Sequence, residues 1–337
     1  MSELRYNLLT REWVVIASER AKRPHDFVKA KAEKAVLPVH KKDCPFCPGN
    51  EGDLSDETYR LGVSGAWRTR CVYNKYPALS HTVTEEREVS GPHKHISGYG
   101  IHEVIIEHPS HNTCLALMTD KEVEDVVRTY KARYDAVSND AGIQAITIFK
   151  NHGPAAGTSQ QHPHSQLVAT PVVPRHIREM LKNGMEYYDI AGRCMFCRSL
   201  ELELSEKARV VFETEHFVSG LPYAGSFPFA MLIIPRRHAP SFGDINEAEI
   251  KDLAYNLRTT LGKLYYGLGD PDFNFVIRSV PVREKWNGSF HWYLSIVPRL
   301  TNPAGFELGS GMFINASIPE ESAQFLRQVD ARPKAAS

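Results

Sequence analysis

The sequence is short of net charge and of long apolar runs. Its 40 Lys and Arg residues are balanced by 40 Asp and Glu residues, and a chain without net charge has no long-range field that would concentrate polyanions. We therefore expect neither nucleic acid nor an anionic membrane as a partner. No apolar stretch reaches the roughly 18 residues that a membrane helix needs, and no signal-peptide pattern opens the chain. These absences predict a cytoplasmic protein.

A dinucleotide fingerprint and a disulfide scaffold are absent as well. No Gly-x-Gly-x-x-Gly follows a predicted strand, which disfavours an oxidoreductase. Six cysteines in 337 residues are too few to hold a fold by disulfides. Four of them form two Cys-x-x-Cys pairs, Cys44 with Cys47 and Cys194 with Cys197. Both pairs have Phe before the second cysteine, and this shared pattern makes it improbable that the two pairs occur by chance.

Each Cys-x-x-Cys pair is either half of a metal site or a redox dithiol. A redox pair of the thioredoxin type lies at the start of a helix, whereas the neighbouring Pro and Gly residues predict that both pairs lie in turns. The pattern therefore favours metal. Each pair then needs two further ligands, and the 15 histidines of the chain supply the candidates.

An internal repeat selects those histidines. After each pair comes an apolar run that ends in histidine, GIHEVIIEHPSH at His111 and FPFAMLIIPRRH at His238. A predicted helix, a strand and a polar loop follow in both copies, and the next strand begins with His162 in one copy and His291 in the other. Two Cys₂His₂ sets result, Cys44, Cys47, His111 and His162 in the first half and Cys194, Cys197, His238 and His291 in the second. Closed four-ligand sets are typical of structural zinc, so we predict two structural zinc ions per chain.

The repeat also predicts the fold class. Helices are expected from Thr119 and from Asn246, each opened by an N-cap residue with Glu three positions later. Strands are expected at 145–150 and 273–278. We therefore predict an α+β protein of two tandem halves, each a mainly antiparallel sheet with a packed helix. The predicted domains are residues 1–173, which carry the active site, and residues 174–337, a degenerate copy.

The two copies differ two residues after the last predicted ligand. The first reads His162-Pro163-His164, whereas the second has Tyr293 in the place of His164. Positions i and i+2 of a strand share a face, so His164 is predicted to lie beside the metal-bound His162. An imidazole that is oriented in this way can act as a base, a metal ligand or a nucleophile.

The surroundings of His164 favour phosphate chemistry. The preceding loop, NHGPAAGTSQQ, is rich in small residues that allow the backbone to approach a phosphate, although such a loop alone is a weak signal. Gln166 follows on the same face, and its amide can donate to a phosphoryl oxygen. The basic cluster around Arg20 and Arg23 either binds phosphate or is a solvated surface group.

The segments ERAKRP, RCVYNKYPAL, FKNHGPAAGTSQQHPHSQ, IIPRRH and FHWYLSIVPRL resemble the galactose-1-phosphate uridylyltransferase family of the histidine-triad superfamily, over nearly the whole chain. The resemblance implies two histidine-triad-like halves and a homodimer. It also implies that His164 attacks the α-phosphorus of a nucleoside diphosphate sugar and releases the sugar 1-phosphate. A second phosphate-bearing acceptor then takes the nucleotide. The other residues implied are Gln166, Asn151, Gly157, Thr158 and Ser159 at the phosphates, and Arg20, Arg23 and Asn74 near the nucleotide.

Two departures from the best-known family members leave the substrates open. HWY replaces a His-x-His metal motif, so the second metal site is expected to use Cys194 and Cys197. In well-known uridylyltransferases an aromatic and an acidic residue face the hexose, whereas this chain has Ser310 and Gly311 at those positions. In this tract the chain more closely resembles a sub-branch that includes an ADP-glucose phosphorylase. The leading hypothesis is transfer of UMP from a UDP-hexose to a hexose 1-phosphate. The alternatives are an ADP-sugar donor with phosphate as acceptor, and a zinc-stabilised nucleotide-binding module without turnover.

Overall fold

The computed structural model describes residues 2–18, 23–28, 37–63, 65–284 and 288–332. Arg20 lies outside these residues, whereas the other candidate site residues lie within them. Among the helices that the structure describes, none combines the length and the apolar composition needed to cross a bilayer.

Fifteen strands are found in the described part of the chain. They are β1 (Glu3–Tyr6), β2 (Trp13–Ile16), β3 (Glu57–Val63), β4 (Ala66–Tyr73), β5 (Arg87–Ser90), β6 (His93–Ile96), β7 (Ile101–Ile106), β8 (Ala145–His152), β9 (His164–Thr170), β10 (Val210–Glu213), β11 (Phe217–Gly220), β12 (Met231–Pro235), β13 (Phe273–Arg278), β14 (Tyr293–Pro298) and β15 (Ile314–Asn315). Ten of these strands form one antiparallel sheet in the order β10-β11-β12-β14-β13-β8-β9-β7-β4-β3. The N-terminal hairpin β1-β2 pairs with β15, and β5 pairs with β6.

The strand order of the large sheet repeats itself about its centre. Reading outward from the central β8–β13 pair gives β8-β9-β7-β4-β3 in one direction and β13-β14-β12-β11-β10 in the other. The prediction of two tandem, mainly antiparallel halves with an α+β fold is therefore confirmed. The two halves share one continuous sheet because β8 and β13 pair along five residues. The boundary between residues 173 and 174 stays a prediction.

Six α-helices accompany the sheet in the described residues: α1 (Asp120–Ser138), α2 (Arg175–Ala191), α3 (Met195–Glu206), α4 (Glu247–Leu268), α5 (Gly305–Ser310) and α6 (Pro319–Gln328). The two predicted helices are α1 and α4, and both have the predicted N-terminal caps. Thr119 accepts from the Glu122 N–H, and Asn246 accepts from the N–H groups of Ala248 and Glu249. Helices α1 and α4 pack against each other on one face of the sheet and bury the main apolar core.

The second Cys-x-x-Cys pair was predicted in a turn, and this prediction is wrong. Cys194 is the N-cap of α3, and Cys197 lies inside that helix. The turn residue Gly192 does end α2 in the left-handed region (φ +66°), but the chain enters the next helix immediately because Met195, Phe196 and Leu200 bury one helical face. The first pair lies in turns, as expected.

Candidate active site and metal centres

The first cluster brings together the four ligands predicted for the first half. One ligand atom from each of Cys44, Cys47, His111 and His162 lies within 4.8 Å of the others, and all four residues are buried. The Nδ1 atoms of His111 and His162 each lie 3.6 Å from Sγ of Cys47. Tetrahedral bonds of about 2.3 Å to sulfur and about 2.0 Å to nitrogen would separate two such atoms by about 3.5 Å. The cluster therefore fits a tetrahedral metal ion.

A hydrogen bond prepares His162 for metal binding. Its Nε2 donates to the carbonyl of His108 at 2.7 Å, which leaves Nδ1 unprotonated on the side of the cysteine. Burial lowers the pKa of His162 to about 4 and also lowers the pKa of His111. Both rings are therefore neutral at neutral pH, which is the form in which imidazole binds metal.

The second cluster has the same composition. Cys194, Cys197, His238 and His291 place their ligand atoms within 4.8 Å of one another. The Nδ1 atoms of His238 and His291 lie 3.4 and 3.5 Å from Sγ of Cys197. This set also fits a tetrahedral ion, and it is built without a His-x-His motif. Both predicted ligand sets are thus assembled in space.

His164 opens β9 next to the first cluster. Nδ1–H of His164 donates a hydrogen bond to the carbonyl of His162 at 2.8 Å, so the free lone pair of the neutral ring is on Nε2. The ring of Phe46 packs against the imidazole, with 5.4 Å between the two ring centroids. Burial lowers the pKa of His164, and the Lys150 ammonium lowers it further. The geometry therefore presents a neutral, oriented imidazole with Nε2 available for attack on an electrophile.

A buried ion pair supports His164 from the helix-covered side of the sheet. Lys150 Nζ lies 2.6 Å from Oε2 of Glu107 and donates to the backbone carbonyl of His164 at 2.9 Å. The β8–β9 ladder ends at the Phe149–Gln166 pair, so the ammonium satisfies a carbonyl that the strand pairing no longer reaches. Sequence reasoning missed this pair, although a Lys and a Glu at core-facing positions of apolar strand runs are a usable signal.

We expect Glu107→Ala to lower the free energy of unfolding by about 3–5 kcal/mol. The Glu107 carboxylate also accepts from the hydroxyls of Tyr130 and Ser165, and its loss leaves the Lys150 ammonium buried without a counterion. Denaturant unfolding of the metal-loaded protein measures the change. The matched control is the double variant Glu107→Ala/Lys150→Met, which removes the orphaned charge and should recover part of the loss. A double variant that is less stable than Glu107→Ala would contradict this explanation.

Gln166 lies on the same face of β9 as His164. Its Oε1 is 2.8 Å from Nε2 of His102 on the neighbouring strand β7. Sequence reasoning did not select His102. The available signal was that His102 is a polar residue on the same face of a predicted strand as the apolar residues Val104 and Ile106. The amide nitrogen Nδ2 of Asn74, a predicted nucleotide-binding residue, lies 3.2 Å from the same ring nitrogen, so Asn74 is next to Gln166.

The loop between β8 and β9 is shaped by two glycines. Gly153 has φ +83°, and a Cβ at this position would lie 2.1 Å from the carboxylate of Asp272. Without a Cβ, the carboxylate accepts from the N–H of Ala155 at 2.6 Å and ties the loop to the second half. Gly157 has φ +85°, which again favours glycine. The predicted phosphate-contacting residues of this loop are Gly157, Thr158 and Ser159.

Arg23 has different surroundings from the other candidates. It precedes the short 3₁₀ helix Pro24–Phe27, and Phe27 packs into the main core on the helix-covered side of the sheet. The described contacts place Asn74, but not Arg23, next to Gln166 within one chain. The role of Arg23 in nucleotide binding stays a prediction.

In the second half, a tyrosine occupies the position that corresponds to His164. Tyr293 stands there, and its hydroxyl lies 3.5 Å from Sδ of Met180 on α2. Helix α2 approaches closely, because a Cβ on Gly184 would lie 2.4 Å from the carbonyl oxygen of Ser289. Apolar side chains thus occupy the face of β14 that corresponds to the His164 face of β9.

Both halves of the chain match one family of known proteins. Residues 1–174 match the N-terminal domain of galactose-1-phosphate uridyl transferase, and residues 180–293 match its C-terminal domain. The chain belongs to the galactose-1-phosphate uridylyltransferase family. It is therefore a nucleotidyltransferase enzyme, in agreement with the oriented imidazole and the Gly-containing loop of the first half.

Relatives of this chain within the family are named either ADP-glucose phosphorylase or galactose-1-phosphate uridylyltransferase. The chain is 36% identical to the ADP-glucose phosphorylase of Arabidopsis thaliana over 97% of this chain and 93% of that protein. It is 32% identical to the galactose-1-phosphate uridylyltransferase of Thermotoga maritima over 98% of this chain and 99% of that protein. The crystal structure of an Arabidopsis thaliana ADP-glucose phosphorylase with bound ADP-glucose superposes with a TM-score of 0.83, at 32% identity over 98% of this chain and 99% of that chain.

Proposed function

We propose that this enzyme transfers UMP from a UDP-hexose to a hexose 1-phosphate by ping-pong chemistry through a nucleotidyl-His164 intermediate. The observation that carries the proposal is the environment of His164. Its Nδ1–H donates a hydrogen bond to the His162 carbonyl, and its ring is neutral because burial lowers its pKa. A neutral imidazole whose Nε2 lone pair is free is a competent nucleophile.

In the first half-reaction, Nε2 of His164 attacks the α-phosphorus of the donor. A P–N bond forms, and the bond from that phosphorus to the bridging oxygen breaks, so that the sugar 1-phosphate leaves. In the second, a phosphate oxygen of the acceptor attacks the same phosphorus, and the P–N bond breaks. Division of one displacement into two through a covalent intermediate predicts ping-pong kinetics.

The remaining site residues are proposed to stabilise the transferred group. Phosphoryl transfer depends mainly on positioning and on donors directed at the developing negative charge. Gln166 is the proposed donor to the transferred phosphoryl group. The other proposed contacts are Asn151, Gly157, Thr158 and Ser159 along the phosphates and Asn74, Arg20 and Arg23 near the nucleotide.

We propose zinc as the metal of both clusters, with a structural role. Two Cys and two His leave no open position for a water or a substrate, and this closed set is typical of structural zinc. Cys44, Cys47, His111 and His162 would hold one ion and thereby fix the chain two residues before His164. Cytoplasmic location and a homodimer that shares active-site residues remain part of the proposal.

A second candidate function is phosphorolysis of an ADP-sugar, with inorganic phosphate as acceptor. The specific observation in its favour is Ser310 and Gly311 at the end of α5, where a hexose-facing aromatic and an acidic residue would otherwise be expected. The 36% identity to a protein named ADP-glucose phosphorylase also supports it. The covalent step at His164 is the same in both candidates.

A donor panel distinguishes the two candidates. We expect UDP-glucose with galactose 1-phosphate to give UDP-galactose and glucose 1-phosphate faster than ADP-glucose with phosphate gives ADP and glucose 1-phosphate. The reverse order would assign the second candidate. Exchange of labelled glucose 1-phosphate into the donor without any acceptor reports the covalent step alone. Absence of this exchange with both donors would contradict nucleotidyl transfer.

A further inference from the structure

We propose that His102 and Asn274 are positioning residues that fix the two carboxamides of the site with their NH₂ groups directed at the substrate phosphates. His102 would act through Gln166, and Asn274 would act through Asn151. The inference rests on the proposed nucleotidyl transfer at His164 and extends it to two side chains that need not touch the substrate.

A backbone hydrogen bond determines the tautomer of His102. The N–H of Ala78 donates to Nδ1 of His102 at 3.1 Å, so the hydrogen of the neutral ring must be on Nε2. That hydrogen faces Oε1 of Gln166 at 2.8 Å. Asn74 does not compete as an acceptor, because the atom that it places 3.2 Å from Nε2 is the amide nitrogen Nδ2, whereas its Oδ1 accepts from the N–H of Tyr76 at 2.9 Å. His102 is thus a donor with Gln166 as its acceptor.

The orientation of Gln166 follows from that donor. A carboxamide offers one oxygen and one NH₂ group, and a rotation by half a turn exchanges them. The N–H of His102 holds the oxygen of Gln166, so the NH₂ group points away from His102. Among the residues that the structure describes, this NH₂ group has no hydrogen-bond partner, and it lies on the face of β9 that carries His164.

A parallel relay from the second half orients Asn151. Arg299 donates from Nε to Oδ1 of Asn274 at 2.5 Å, which turns the NH₂ group of Asn274 towards Oδ1 of Asn151 at 2.7 Å and the carbonyl of Ala156 at 2.9 Å. The oxygen of Asn151 is thereby occupied. Its own NH₂ group has no partner within the described residues and shares the β8 face next to β9.

Both relays have the same chemical consequence. An amide that rotates freely presents its oxygen to an anion part of the time, and an oxygen repels the charge that develops on a transferred phosphoryl group. Donors that are fixed before the reaction need no reorganisation during it, and loss of one such donor costs about 10²–10³-fold in rate. The half in which β13 and Arg299 lie thus contributes to the chemistry of the other half.

The first test measures the single-turnover rate at which His164 is labelled by a radiolabelled donor, with UDP-glucose and ADP-glucose in separate arms. We expect His102→Leu to lower this rate about 10–100-fold, because Gln166 loses its fixed orientation. His102→Gln places a donor near the same point and should retain most of the rate. In a Gln166→Ala background, His102→Leu should cause no further loss. Equal losses in both backgrounds would overturn the relay.

The second test uses an isosteric change at Asn274. Asn274→Asp still accepts from Arg299 but presents an oxygen to Asn151, so the Asn151 amide should turn over and the labelling rate should fall about 10–100-fold. In an Asn151→Ala background the same change should have little effect, and an undiminished effect there would overturn this relay. A wild-type enzyme that takes up no label from either donor would instead refute the nucleotidyl transfer and the inference with it.

Discussion

Replacement of His164 by alanine is expected to lower nucleotidyl transfer by at least about 10⁴-fold, since removal of the nucleophile from a covalent mechanism leaves only the binding and electrostatic contributions of the site. The structure gives the reason for so large an effect. Nε2 of His164 is the lone-pair nitrogen of a ring that is fixed by the His162 carbonyl and by Phe46. Both the steady-state rate and the covalent labelling of the protein should be lost together.

The matched control for this experiment lies in the other half of the sheet. Tyr293→Phe changes the position that corresponds to His164 but removes only a hydroxyl that contacts Met180. We expect this variant to be labelled as fast as the wild type. Metal content and thermal unfolding of both variants check that the fold is intact. Retention of label in folded His164→Ala protein would show that another side chain is the nucleophile.

The two candidate ligand sets and the additional imidazole of His164 were predictable because each copy of the repeat can be compared with the other, whereas the proposed role of His164 as nucleophile came from the family resemblance. His111 and His238 end matching apolar runs, and His162 and His291 follow matching helices and strands. The difference between His164 and Tyr293 then led to the prediction that the first half carries the active site. The tandem halves and the antiparallel sheet followed from the same repeat, since each copy has to bury one helix against its own strands.

Other parts of the site could not be read from the sequence because they depend on contacts between distant segments. The tautomer of His102 is set by the backbone of Ala78, which lies 24 residues earlier. Asn151 is oriented by Asn274, 123 residues later. Helix α2 was missed for a different reason. Pro171 and Pro174 indicate a connection between the halves, but α2 begins at Arg175 directly after them. Gly184 within this helix allows a close approach to Ser289.

Loss of the first metal ion is expected to reduce both folding stability and activity, whereas loss of the second should reduce stability alone. Binding of a structural zinc ion is worth about 10–16 kcal/mol in small domains, and this sets an upper limit on the folding free energy that each ion contributes here. His162 connects the first cluster to the chemistry, because its carbonyl holds Nδ1 of His164. The second cluster lies in the other half, where α2 covers the face of β14 that corresponds to the His164 face of β9.

Cys47→Ser and Cys197→Ser form a matched pair for this prediction, because each cysteine faces both histidines of its cluster. Each variant should lose about one of two zinc ions by metal analysis, and each should unfold at lower denaturant concentration than the wild type. Measured on the folded fraction, the labelling rate should fall in Cys47→Ser and stay unchanged in Cys197→Ser. Equal labelling in the two variants would mean that the first ion stabilises the fold without fixing the nucleophile, and the geometry of His164 would then depend on Lys150 and Phe46 instead.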